Sequence, residues 1–237
     1  YTLLAVGANQ FWLAPFLQKD VPYDPVKDFL PISITGISPY LVTVHSSVQA
    51  SNIRELIALA KSKPGVLNYG SGNVGSANYL AAELFKALSQ TNIVAVPYKS
   101  APLAMVGLLA GDVQISFASP STAMAGVKSG KLRALAVTAD RPSALAPGIP
   151  TVTESGLPGY ESTLTYAVFA PARTPAGIIS TLNGAIVKHL QAPDIKEKMF
   201  AAGIEIVAST PQALAAAMKQ DMERMSKVIR DAGIRPQ

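Results

Sequence analysis

The sequence contains no cysteine and only two histidines among its 237 residues. The lack of cysteine excludes disulfides, zinc–thiolate sites and thiol catalysis, and it suits an oxidising compartment as well as a reducing one. His45 and His189 lie far apart in different predicted elements, so a histidine-centred metal site or catalytic triad has little support. We therefore interpret both histidines as surface or packing residues, and we expect no metal and no cofactor.

Charged side chains and long apolar runs are also scarce. Charged residues make up 15% of the chain, and 20 Lys and Arg against 15 Asp and Glu give a net charge of +5. The basic residues are scattered rather than grouped with aromatic residues, which argues against a nucleic-acid partner. The longest apolar runs, such as residues 213–218, are much shorter than the roughly 20 residues that cross a membrane. We therefore expect no direct membrane insertion.

The sequence does contain a regular alternation of strand-like and helix-like segments. Short β-branched apolar runs, such as residues 40–45 and 132–138, alternate with segments of helical periodicity. Asn52 and Glu55 have the spacing of a capping box and predict the start of one helix. Strands that alternate with helices predict α/β layers with mostly parallel sheets. A chain of this length can form one large domain or two modest ones.

One glycine-rich stretch, residues 68–78 (NYGSGNVGSAN), lies between a predicted strand and a predicted helix. Such a turn exposes backbone N–H groups at the positive end of the helix dipole. These groups can form a binding site for an anion. Ser71 and Ser76 add hydroxyl donors, and the turn contains no charged side chain. The stretch therefore predicts a site for a carboxylate or a phosphate.

The same stretch admits two other interpretations. Gly70, Gly72 and Gly75 match G-x-G-x-x-G, a pattern typical of dinucleotide-binding turns. The next predicted strand, however, runs into Lys99 and Ser100 rather than into the acidic residue that would bind a ribose. The glycines could also serve only to let the chain turn sharply. An anion site, a nucleotide site and a plain turn all remain open on these residues alone.

Several ordered motifs extend the analysis to the whole chain. They are residues 23–29 (YDPVKDF), 68–71 (NYGS), 96–99 (VPYK), 130–138 (GKLRALAVT) and 149–160 (IPTVTESGLPGY). Together they resemble the Bug receptors, the substrate-binding proteins of tripartite tricarboxylate transporters. The resemblance implies a periplasmic, two-lobed α/β protein of the type II binding fold, with its ligand between the lobes. By the same likeness, residues 1–43 and 164–237 form lobe 1, residues 44–163 form lobe 2, and the chain crosses at residues 40–45 and 164–170.

The resemblance also implies a ligand and a set of contacts. Bug receptors hold small carboxylates, often dicarboxylates or amino acids, with backbone amides and hydroxyls, and they present them to membrane transporter subunits. The implied ligand-binding residues are Ser71, Gly72, Asn73, Gly75 and Ser76, with Ala8, Asn9 and Ser119 as weaker candidates. The expected function is thus that of a receptor and not of an enzyme.

The chain departs from the family pattern at several positions. Tyr79 stands where family members usually have His, Ser119 where Asn is common, Ser100 where Gly is common, and Asn73 where Gly is frequent. The family's opening strand and its Pro/Gly-rich loop also have no counterpart, so we expect the chain to be truncated at its N-terminus. Two alternatives are an NADP-binding enzyme, with Lys99 and Ser100 on the 2′-phosphate, and a ligand sensor of the same fold.

Overall fold

The structure, a computed structural model, describes residues 2–236. Tyr1 and Gln237, both part of the predicted lobe 1, lie outside the described residues. The strands are β1 (Leu4–Gly7), β2 (Phe29–Pro39), β3 (Leu41–His45), β4 (Asn68–Ser71), β5 (Val94–Pro97), β6 (Ile115–Ala118), β7 (Leu132–Val137), β8 (Thr163–Pro171) and β9 (Glu205–Ile206). The helices are α1 (Ala8–Leu17), α2 (Ile53–Ser62), α3 (Ala77–Ser89), α4 (Ala101–Ala110), α5 (Pro120–Lys128), α6 (Ala176–Leu190), α7 (Pro193–Ala201) and α8 (Pro211–Asp231).

The chain divides into two compact units. The first contains the residues up to Ser38 and those from Leu164 onwards, and the second is the continuous stretch Pro39–Thr163. The chain therefore passes between the units twice, once between β2 and β3 and once at the start of β8.

The first unit contains a sheet with the strand order β1-β8-β2-β9. β1 and β8 run antiparallel, with Leu4 opposite Phe169 and Gly7 opposite Tyr166. β9 is a short antiparallel partner of β2. Helix α6 packs its apolar side on this sheet, where Ile179 meets Ile32 and Ala170 in a buried cluster.

The second unit contains a sheet with the order β5-β4-β6-β3-β7. β4 pairs in parallel with both β5 and β6, whereas β3 lies antiparallel between β6 and β7. The core of this unit includes Leu41 from β3, Leu108 from α4, and Leu132 and Val137 from β7, all of which are buried. The parallel strands β4, β5 and β6 thus end on the same edge of the sheet.

The α/β layers predicted from the sequence are confirmed, but the expectation of mostly parallel sheets needs a correction. Parallel pairing holds where a helix links successive strands, because a helical crossover returns the chain in the same direction. β3 and β8 adjoin the passages between the units rather than such crossovers, and each lies antiparallel to a neighbouring strand. The sheets are therefore mixed.

Local helix signals agree well with the structure. The Asn52 side chain accepts a hydrogen bond from the Glu55 N–H at 3.0 Å, and the Glu55 carboxylate accepts one from the Ser51 N–H at 2.7 Å. This reciprocal arrangement at the start of α2 is close to the predicted capping box. Within residues 2–236, none of the helices is both long enough and apolar enough to span a membrane.

Candidate ligand-binding site

The glycine-rich loop joins the end of β4 to the start of α3. Ser71, the last residue of the strand, is buried, and its carbonyl accepts a hydrogen bond from the Tyr98 N–H at 2.9 Å. The turn closes when the Ser76 N–H donates to the Asn73 carbonyl, also at 2.9 Å. Asn73 itself is exposed. The loop is therefore anchored at both ends while its tip stays accessible.

Two glycines explain how this loop keeps its shape. Gly75 has φ = +83°, a left-handed conformation that side chains strongly disfavour. A Cβ atom on Gly72 would lie 3.2 Å from the Ser76 Oγ. Side chains at these positions would thus strain the turn or crowd the hydroxyl that faces it.

Helix α3 begins without a side-chain cap. Ser76 is the N-cap residue, but its Oγ donates to the Asn78 Oδ1 at 2.8 Å instead of accepting a backbone N–H. The first N–H groups of an α-helix have no partner within the helix. They remain available here at the positive end of the helix dipole, which favours an anion.

The starts of two further helices lie on the same sheet edge. α4 follows β5 with Ser100 as N-cap, and α5 follows β6 with Ser119 as N-cap; neither serine caps its helix through its side chain. Because β5 and β6 flank β4 in parallel, these starts adjoin the loop at the carboxyl ends of the strands, where ligands bind in open α/β sheets. The Ser119 Oγ also contacts the hydroxyls of Ser121 and Thr122. The edge is rich in hydroxyls and in free helix N-termini.

A polar cluster joins the strand and the helix on either side of the loop. The Tyr69 hydroxyl donates to the Glu83 Oε1 at 2.6 Å, and the Lys86 Nζ lies 2.7 Å from the same oxygen. Tyr69 lies on β4 and the other two on α3, so the cluster ties the two elements that flank the loop. Burial, followed by the hydrogen bond and charge of Glu83, raises the pKa of Tyr69 far above its usual range.

Tyr79, near the start of α3, is buried beside this cluster. Its ring centroid lies 6.2 Å from that of Tyr69. Burial raises the pKa of Tyr79, with a smaller contribution from the charge of Glu83. Tyr79 is therefore a neutral phenol on the buried side of α3.

Sequence reasoning missed the role of Tyr98. A Cβ atom on Gly70 would lie 3.4 Å from its ring, and one on Gly107 would fall 2.2 Å from its hydroxyl. The ring thus occupies a slot between β4 and α4 that exists only because both facing positions are glycine. The spacing of these glycines carries no recognisable pattern in the sequence.

Ala8 and Asn9 belong to the other unit, where α1 begins directly after β1. Ala8 is fully buried. The Asn9 side chain accepts a hydrogen bond from the Thr165 N–H at 2.7 Å and donates one to the Asp221 Oδ2 at 3.1 Å. Trp12 also donates to this carboxylate, at 2.7 Å. The Asn9 amide therefore joins β8 and α8 to α1. Contact of Ala8 or Asn9 with a ligand stays a prediction.

The structure thus brings Ser71, Gly72, Asn73, Gly75 and Ser76 together in one loop, with Ser119 at the end of the neighbouring strand.

His45 binds Ser47 through its Nδ1 at 2.7 Å. Among the described residues, no group of three His, Asp or Glu side chains is arranged to hold a metal ion.

Comparison with known proteins decides the family. The model of the tripartite tricarboxylate transporter family receptor matches residues 1–234. The chain belongs to this family. A protein encoded in the tcbD–tcbE intergenic region of Pseudomonas sp. strain P51 is 33% identical over 90% of the chain, and the alignment covers 64% of that protein. BugT of Bordetella pertussis is 30% identical over 97% of the chain and is covered to 68%.

A solved structure agrees with this assignment. Rpa4515 of R. palustris, whose structure contains adipate, is 29% identical and superimposes with a TM-score of 0.81 over 100% of this chain and 79% of Rpa4515. The predicted Bug resemblance and the two-lobed type II fold are confirmed. The chain spans about two thirds of the length of the curated relatives it matches.

Proposed function

We propose that this receptor binds a small carboxylate at the glycine-rich loop of its second unit. The observation that carries the proposal is the uncapped start of α3, which follows a turn with a positive φ at Gly75 and a free tip at Asn73. Backbone N–H groups and the hydroxyls of Ser76 and Ser119 supply the hydrogen-bond donors. The presence of adipate in the related Rpa4515 structure supports a carboxylate as the ligand.

A neutral set of donors suits a ligand that is captured and then released. An arginine–carboxylate pair would hold the ligand by a strong bidentate contact, whereas helix N-termini contribute smaller increments. The net charge of +5 helps to steer an anion towards the protein. These properties fit a receptor that hands its ligand to another protein.

Membership of the family supports a role for this binding event in transport. In this proposal the receptor works in the periplasm, closes on its ligand by a hinge motion, and presents it to the membrane subunits of a tripartite transporter. It performs no reaction on the carboxylate. Ala8 and Asn9, from the other unit, are the candidates for the second side of the site.

A glycine substitution tests the location of the site. Gly75→Val should abolish the binding of straight-chain dicarboxylates with four to six carbons, because the side chain strains the turn and obstructs the start of α3. Gly148→Val is the matched control, since Gly148 has φ = +79° with open space around it. Isothermal titration calorimetry with succinate, glutarate and adipate measures the difference.

The outcomes are distinct. Loss of binding in Gly75→Val alone supports the loop as the site. Equal affinity in both variants, or no binding of any of the three acids to the wild-type chain, would contradict the proposal. NADP⁺ serves as a further probe, and we expect it to leave the melting temperature unchanged.

A further inference from the structure

A hydrogen-bond cluster in the first unit joins the start of α1 to the middle of α8. The Asn9 Nδ2 donates to the Asp221 Oδ2 at 3.1 Å, and the Asn9 Oδ1 accepts from the Thr165 N–H at 2.7 Å. All three residues belong to the first unit. Asn9 is also a candidate for the second side of the proposed carboxylate site. The cluster therefore holds the side chain of a candidate ligand contact.

The two partners of Asn9 decide which way its amide faces. A carboxamide turned by 180° keeps nearly the same shape, so its oxygen and nitrogen are placed by their hydrogen bonds. In the reverse orientation, the Asn9 oxygen would face the Asp221 carboxylate and its amino group would face the Thr165 N–H. Each contact would then bring together two acceptors or two donors. The carboxylate and the backbone N–H thus hold the Asn9 amide in one orientation.

This orientation leaves one donor of Asn9 for a ligand. The amino group of a carboxamide carries two N–H bonds, and the contact with Asp221 uses one of them. Among residues 2–236, no second acceptor lies within hydrogen-bonding distance of the Asn9 Nδ2. The residue is partly exposed, so its second N–H is accessible. It is a donor that is oriented before a ligand binds, which lowers the entropic cost of binding.

The Asp221 carboxylate is itself held by two further donors. Its Oδ2 also accepts from the Trp12 Nε1 at 2.7 Å, and its Oδ1 lies 2.9 Å from the Arg224 Nη2. The Asp221 side chain is only 12% exposed. The positive charge of Arg224 offsets the negative charge of the carboxylate, which reduces the repulsion that Asp221 would exert on an anionic ligand.

An unpaired nitrogen shows which contact of Asp221 the structure favours. The Arg224 Nε is buried, and it has no hydrogen-bond partner in the part of the chain that the structure describes. A bidentate contact, the strong arrangement of an arginine with a carboxylate, would engage a second nitrogen and the second carboxylate oxygen. That oxygen accepts from Asn9 and Trp12 instead. The carboxylate therefore faces the Asn9 amide at the expense of its contact with Arg224.

We propose that Asp221 is a positioning residue for the ligand and that it acts through Asn9. Asp221 and the Thr165 N–H orient the Asn9 amide so that its second N–H donates to a carboxylate oxygen of the ligand. Arg224 balances the charge of Asp221. This inference rests on the proposed carboxylate function, and it adds to the site a residue that does not itself touch the ligand.

A double-mutant cycle tests whether Asp221 acts through Asn9. Asn9→Ala should weaken adipate binding at least tenfold, because a hydrogen bond to a charged group is lost. Asp221→Asn keeps the shape of the side chain but no longer fixes the Asn9 amide, so it should weaken binding about tenfold. In the Asn9→Ala background, Asp221→Asn should change the affinity by no more than about twofold. Calorimetry on the four proteins measures this coupling.

Glu223→Gln is the matched control for the change of charge. It removes a carboxylate from the same helix, but the Glu223 side chain is 68% exposed and faces Lys219. This variant should bind adipate like the wild type. Equal losses from Asp221→Asn in both backgrounds would indicate a general structural effect and would overturn the proposal. Wild-type affinity in Asp221→Asn, or a loss in Glu223→Gln, would also overturn it.

A measurement on the wild-type chain covers the case in which a variant fails to fold. Saturating adipate should shift the Asn9 side-chain N–H resonances in ¹⁵N-edited NMR spectra of the full chain. Binding that leaves these resonances in place would refute the positioning role and leave the carboxylate site intact. If succinate, glutarate and adipate all fail to bind the wild type, the carboxylate site is refuted and this inference with it.

Discussion

At the scale of single residues, the candidate site depends on hydroxyls and amides rather than on charged side chains. Ser76 is its clearest side-chain donor, and its hydroxyl donates to the Asn78 Oδ1 in the structure. A ligand carboxylate is a stronger acceptor than an amide oxygen. We therefore expect the Ser76 hydroxyl to turn to the ligand when the site fills.

Ser76→Ala should weaken carboxylate binding with little effect on folding. A hydrogen bond to a charged group contributes about 1.5–3 kcal/mol, which corresponds to a roughly ten- to hundredfold loss of affinity. Calorimetry with adipate measures the loss. Ser62→Ala is the control, because the Ser62 hydroxyl donates to the Leu59 carbonyl at the exposed end of α2, away from the glycine-rich loop. Unchanged affinity in Ser76→Ala would remove this hydroxyl from the site.

The raised pKa of Tyr69 predicts that the free energy of unfolding depends on pH. Its pKa is raised in the folded protein, so the folded state retains the phenol proton after the unfolded chain has released it. Stability from this group is complete below the unfolded pKa of about 10 and falls above it, by up to about 1.4 kcal/mol per pH unit.

Tyr69→Phe isolates this effect. The variant should be less stable than the wild type at pH 7 by about 1.5–3 kcal/mol, because it loses the hydrogen bond to the Glu83 carboxylate. The deficit should shrink as the pH rises from 10 to 11, since only the wild type must keep this phenol protonated. Urea unfolding at several pH values measures both quantities. A deficit that grows with pH would contradict the assigned direction.

At the scale of elements, the contact of α4 with β4 depends on Gly107. Alanine normally stabilises a helix relative to glycine by up to about 1 kcal/mol. At Gly107, however, the added Cβ would fall 2.2 Å from the Tyr98 hydroxyl and 2.7 Å from the ring carbon that bears it. The Tyr98 ring would therefore have to leave its slot. This movement would disturb the end of β4, because the Tyr98 N–H donates to the Ser71 carbonyl there.

Gly107→Ala should therefore destabilise the protein by about 1–3 kcal/mol, as overpacking does, and it should also weaken adipate binding. Gly184→Ala in α6 is the matched control, because its Cβ meets open space. That variant should be more stable by about 0.4–1 kcal/mol. Thermal unfolding compares the two. A stabilising effect of both alanines would show that Tyr98 can move without cost.

At the scale of the whole molecule, the family's two-lobed fold predicts a change of shape on binding. The chain passes between the two units only twice, before Pro39 and after Thr163. A ligand that contacts both units favours the closed state through its differential affinity. Small-angle X-ray scattering should show that saturating adipate decreases the radius of gyration of the wild type. The same concentration of adipate should leave the radius of Gly75→Val unchanged. An unchanged radius in the saturated wild type would argue against hinge closure.

The sequence by itself determined the local features of this protein. The strand, turn and helix around residues 68–78, the capping of α2 by Asn52 and the α/β alternation all depend on residues a few positions apart. Short-range hydrogen bonds and side-chain periodicity decide such features, and both can be read along the chain.

Only the tertiary structure decided how these pieces meet. The antiparallel insertion of β3 between β6 and β7, the bond between Asn9 and Asp221 across 212 positions, and the Tyr69–Glu83 pair beneath the loop have no local signal. Such contacts join residues that are distant in sequence, and competing packings of the same local elements differ in free energy through burial and polar pairing. Burial and pairing exist only once the whole chain has folded, and they alone turn a glycine-rich turn into an anchored candidate site.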